Sequence, residues 1–116
     1  MSFFNTKQIA LQRVSPSSYL EIDVETSISY YIIDPGNAID LTSVEYKIDK
    51  LSGRATTNVI AWTVLNITGI TDDIYQLDLT LPSASVSTSD SIQLVIKATD
   101  ADGMEYYHKD TEVTPI

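Results

Sequence analysis

Apolar residues recur at every second position through most of this chain, and that period of two constrains the fold more than any other feature. From Ser91 to Ala98, the residues Ile92, Leu94, Ile96 and Ala98 alternate with Ser91, Gln93, Val95 and Lys97. Tyr75, Leu77, Leu79 and Leu81 alternate with Gln76, Asp78 and Thr80 in the same way, and Val44, Tyr46 and Ile48 alternate with Glu45, Lys47 and Asp49. Successive side chains of a strand point to opposite faces, so each segment predicts a strand with one face in a core and the other towards water. Leu20, Ile22 and Val24 repeat the pattern against Glu21, Asp23 and Glu25. Ser27 to Ile33 and Val59 to Leu65, the latter carrying Trp62, are apolar almost throughout and predict central strands covered on both sides. Ile9 to Val14 reads as a first edge strand and Met104 to Lys109 as a last one.

Turn chemistry separates these segments. Ser15-Pro16-Ser17-Ser18, Asp34-Pro35-Gly36-Asn37, Ser52-Gly53, Thr68-Gly69, Pro82-Ser83 and Asp100-Ala101-Asp102-Gly103 fall between them, and all four glycines lie in such stretches. Glycine supplies positive φ and proline presets φ for a turn, so their confinement to boundaries supports the strand assignments. The sole helical candidate is one turn at Thr71 to Ile74. Short strands with turns every 8 to 12 residues or so predict an all-β sandwich of two packed sheets.

Composition narrows the function classes. At 116 residues the chain is one domain, long enough to bury roughly two thirds of its unfolded surface without staples. There is no cysteine, hence no disulfide and no thiolate metal site. Sixteen acidic against seven basic residues give a formal charge of -9, which repels nucleic-acid phosphates and anionic lipid surfaces. No apolar run approaches the roughly 20 residues of a membrane helix. The start, Met1-Ser2-Phe3-Phe4-Asn5-Thr6-Lys7-Gln8, lacks the basic segment and apolar stretch of a secretory signal, so a cytoplasmic product is expected. Residues 1–18 read as an N-terminal arm or first edge strand and residues 19–116 as the sandwich.

Two passages carry a family likeness. Leu41-Thr42-Ser43-Val44-Glu45-Tyr46-Lys47-Ile48-Asp49 and Ile92-Gln93-Leu94-Val95-Ile96-Lys97-Ala98-Thr99-Asp100-Ala101-Asp102-Gly103 resemble the third and sixth strands of bacterial immunoglobulin-like and fibronectin type III-like modules. In those families the third strand is followed by one bearing a tryptophan, a role that Trp62 fills here. The likeness spans roughly Glu25 to Val113 and implies an immunoglobulin-like antiparallel β-sandwich of seven or eight strands, but no particular ligand. A single acidic module of this kind without an export signal is similar to small structural proteins of tailed bacteriophages, which decorate heads, necks, tails or fibres. That likeness implies a non-enzymatic virion component, made in the host cytoplasm, which docks on other virion proteins through a sheet edge or its N-terminal arm, in a symmetric homo-oligomer or array. The alternative is a carbohydrate- or cell-surface-binding module of the adhesin type, with a surface glycan as partner.

Residues able to carry chemistry are few. His108 is the only histidine, and neither a nucleophile elbow nor a Gly-rich phosphate loop accompanies it. Hence no catalytic, cofactor-binding or metal-binding residue is expected. Asp100, Asp102 and Glu105 offer oxygen ligands for Ca²⁺, yet Gly103 stands fourth from Asp100 where an EF-hand places its glycine sixth, so a hairpin turn is the simpler expectation. Tyr30, Tyr46, Tyr75 and Trp62 fall at inward or central strand positions and are expected in the core. Tyr106 and Tyr107 are adjacent and must point to opposite faces, so at least one of them reaches the surface. The candidate binding residues are Tyr107, Tyr31 and, in the N-terminal arm, Phe3 and Phe4.

Overall fold

The structure is a computed structural model, described here over residues 10–14, 18–33, 41–67 and 73–116. Nine strands occur among them: β1 (Ala10–Arg13), β2 (Tyr19–Leu20), β3 (Thr26–Ile33), β4 (Leu41–Ser52), β5 (Ala55–Leu65), β6 (Ile74–Leu79), β7 (Ser91–Asp100), β8 (Glu105–Asp110) and β9 (Thr114–Pro115). No helix is present among the described residues. One antiparallel sheet has the order β1-β3-β6, and a four-stranded antiparallel sheet has the order β5-β4-β7-β8. β2 and β9 form a short parallel pair.

The period of two does what it predicts. Ile28, Tyr30 and Ile32 of β3 and Tyr75, Leu77 and Leu79 of β6 are buried, as are Val44, Tyr46 and Ile48 of β4 and Ile92, Leu94, Ile96 and Ala98 of β7. These inner faces form one core, to which Leu20, Leu81, Val86 and Val113 contribute from the ends. Polar links stitch the sheets together at two places. The Tyr46 hydroxyl, on β4, donates to the Asp78 carbonyl of β6 at 3.4 Å. Asp110, on β8, accepts from the Tyr30 hydroxyl at 2.5 Å and from the Arg13 guanidinium at 2.8 Å, both on the other sheet.

Three expectations need correction. The alternation from Leu20 to Val24 does not make one strand. Asp23 takes a positive φ of 63°, its N–H donates to the Leu81 carbonyl and its carboxylate accepts from the Ser83 N–H, so the chain turns there. β7, read as half-buried, is buried on its outer face as well at Gln93 and Val95, which lie under the side chains of the neighbouring strands. Val59 to Leu65 is not a central strand. It belongs to β5, the edge of the four-stranded sheet, and Trp62 and Val64 lie exposed on the outer face instead of in the core.

The hairpins explain two glycines. Gly53 (φ +60°) lies between β4 and β5, and Gly103 (φ +81°) lies between β7 and β8, each in the left-handed region that a side chain disfavours.

Candidate functional site

The outer face of the four-stranded sheet is not covered by another layer among the described residues, yet its own side chains build a second, smaller cluster on it. Glu45, Lys47 and Asp49 of β4, Val95 and Lys97 of β7, and Glu105 and Tyr107 of β8 point that way, as the alternation along each strand requires. Trp62 reaches into this group from β5 because the edge strand is bulged. Between the pairs Tyr46↔Thr63 and Ile48↔Ile60, Lys47 stands alone opposite two residues, Ala61 and Trp62. An extra residue bends a strand and re-aims its side chains. Here the result is an indole lying over the sheet, with its ring centroid 5.1 Å from Lys47 Nζ and 4.6 Å from Lys97 Nζ. Neighbouring strands lie about 4.8 Å apart, so β5 and β8 are some 14 Å from one another. The indole spans much of that gap and meets the Tyr107 ring edge-on, at 6.3 Å between centroids and 63° between planes.

Ion pairs hold the lysines in place beneath the ring. Lys97 Nζ lies 2.9 Å from Glu45 and 3.8 Å from Glu105, and Lys47 Nζ lies 3.1 Å from Asp49. The hydrogen bond to Glu45, with the nearby carboxylates, raises the Lys97 pKa and keeps it charged. Burial works against ionisation of Asp49, but hydrogen bonds from Asn58 and Lys47 outweigh it and hold the carboxyl below its usual range. The Tyr107 hydroxyl donates to Glu105 at 3.1 Å. Val95 is 3% exposed beneath this group, whereas Trp62 is 37%, Tyr107 57% and Val64 68% exposed. The face therefore has a buried floor and an open aromatic rim.

The second feature is the free edge of β5. Among the described residues no strand pairs with it. The other edge strands of the two larger sheets are shorter and charged: β1 has four residues with Arg13, β6 has six with Asp78, and β8 has six with Glu105, Lys109 and Asp110. β5 has eleven residues, and from Ala55 to Leu65 none of them is charged. Natural edge strands are usually blunted with charge, proline or brevity, since unpaired N–H and C=O groups invite another strand. β5 has its two bulges but none of those other protections.

The sequence-derived candidates are placed as follows. Tyr107 is on the outer rim. Tyr31 is half-buried on β3, between Gln12 of β1 and Ile74 of β6, and is remote from Tyr107, on the other sheet. Phe3 and Phe4 lie outside the described residues. Tyr30, Tyr46 and Tyr75 are buried. His108 faces inward, its ring meeting that of Tyr30 edge-on at 6.4 Å. The Asp100 carboxylate accepts from the N–H groups of Asp102 and Met104 and from the Tyr106 hydroxyl, each at 2.9 Å, so it is engaged in closing the β7–β8 hairpin. Sequence reasoning missed Trp62 as a surface residue, although the uncharged run around it was in view. Neither a protein-family model nor a curated protein matches the chain.

Proposed function

We propose that the protein is a non-enzymatic docking module of the immunoglobulin-like type, which joins a larger assembly by adding the free edge of β5 to a sheet of its neighbour. The observation that carries this reading is the contrast between an acidic chain of charge -9 and an eleven-residue, uncharged edge strand whose outer side pairs with no strand among the described residues. Main-chain hydrogen bonds along such an edge supply affinity, while flanking side chains supply choice of partner. Val64, exposed on the outer side of β5, provides that flank. The negative charge elsewhere keeps free copies apart until they dock. The position of β4 and β7, side by side at the centre of the four-stranded sheet, supports the likeness of their sequences to the third and sixth immunoglobulin-like strands. The similarity of a single acidic module of this kind to small structural proteins of tailed bacteriophages makes a phage particle the assembly in question and other virion proteins the partners.

The test is to assemble particles with the chain replaced by a Thr56→Lys/Val64→Lys variant, both positions being exposed on β5, and to quantify the chain in gradient-purified particles. Charge on the edge should abolish incorporation of a protein whose thermal unfolding is otherwise close to that of the parent. Normal incorporation of the folded variant, or absence of the parent from purified particles, would sink the reading.

A further inference from the structure

The corner formed by Trp62 and Tyr107 has a use that edge docking does not draw on. We infer that it is a binding site for a neutral sugar ring, with the indole as the platform and the tyrosine as the side wall. Lys47 and Lys97 rise from the two central strands under the indole, so their ammonium groups take its sheet side and leave the outer side to solvent. The two rings meet at 63°, which makes an open angle instead of a closed stack. Pyranose rings present a flat face of C–H groups that packs on such a surface, and an aromatic ring with one side fixed and one side wet is suited to it.

Charge selects the ligand class. The outer face carries Lys47, Lys97 and Lys109 against Glu45, Asp49 and Glu105, so cations and carboxylates balance. The two lysines under the ring are already paired, at 2.9 Å and 3.1 Å, and offer no surplus positive charge to a sialic acid, sulfate or phosphate. Glu105 and Glu45 instead place acceptor oxygens beside the aromatic corner, where sugar hydroxyls can donate to them. The floor is fixed in advance: the lysines are held by ion pairs, and Val95 beneath is buried. Little ordering is then required on binding, which spares the site the entropic cost of forming its floor.

Trp62 is the only tryptophan, so emission excited at the red edge of the indole band, where tyrosine does not absorb, reports on this corner. The experiment titrates the full chain with neutral hexasaccharides of glucose, xylose, mannose and N-acetylglucosamine, with sialyllactose as the acidic comparator, and follows Trp62 emission. A saturable change with at least one neutral sugar is expected, weakened about tenfold or more by Tyr107→Ala and left unchanged by Thr56→Lys. No saturable response to any neutral sugar, a response to sialyllactose alone, or a response indifferent to Tyr107→Ala would overturn the inference. Loss of incorporation into particles by the edge variant is a separate outcome, so the sugar site and edge docking can fail independently.

Discussion

At the scale of single residues, the most consequential group is Asp110. Its carboxylate sits between the two sheets and receives hydrogen bonds from Tyr30 and Arg13, with a third from the Glu112 N–H at 3.0 Å. Burial alone would raise its pKa, but these donors together outweigh burial and hold the folded-state value below the ordinary aspartate value of 3.8. Burial and the neighbouring Asp110 charge push the Tyr30 hydroxyl upward, so it stays a protonated donor at neutral pH. Removing the charge while keeping the shape, with Asp110→Asn, should cost about 2–3 kcal/mol in urea unfolding at neutral pH, because hydrogen bonds to a charged group are lost. The sign of the pH dependence follows from the lowered pKa. The stabilisation is complete above the unfolded-state value and is lost as pH falls through the lower folded-state value. The stability gap between parent and Asp110→Asn should therefore be constant above about pH 5 and close below pH 4. A gap that persists unchanged at pH 2–3 would contradict the assignment.

At the scale of elements, the strands with strict alternation were legible because burial on one face leaves a period of two in the sequence. β6 and β7 match their predicted segments closely, β4 runs beyond its own at both ends, and the inner residues of all three are those that the alternation picks out. β5 was misplaced for a physical reason. A run of apolar residues looks the same whether both faces are covered by other layers or whether one face is an exposed binding surface, and nothing local distinguishes an edge from a centre. The bulge at Ala61 and Trp62 compounds this, since two residues opposite one break the alternation that would have assigned the tryptophan to the outer face. Local chemistry was more informative at the hairpins. Gly53 has a positive φ and open space where a Cβ would go, so Gly53→Ala should cost about 1 kcal/mol through backbone conformation alone, measured as a lowered unfolding midpoint. Gly53→Asn should recover most of that loss, because asparagine tolerates the left-handed region. An unchanged midpoint for the alanine variant would contradict the hairpin geometry.

At the scale of the whole molecule, the charge that composition revealed acquires a pattern once the strands are in place. The acidic residues are spread over loops, ends and the remaining strands, whereas the longest open edge carries none. Sequence alone showed the uncharged run but not that it formed a free edge, because strand order is decided by long-range pairing between residues far apart in the chain. The candidate site was partly legible for the same reason: Tyr107 followed from its place in an alternating strand, while its meeting with Trp62 depends on the order β5-β4-β7-β8. Amide hydrogen exchange on the chain, free and bound to its assembled particle, tests the central claim most directly. Along a free edge every second N–H points to water, so strand addition should slow exchange at alternate amides between Ala55 and Leu65 and nowhere else to a similar degree. Unchanged exchange along β5, with new protection confined to another part of the chain, would contradict it.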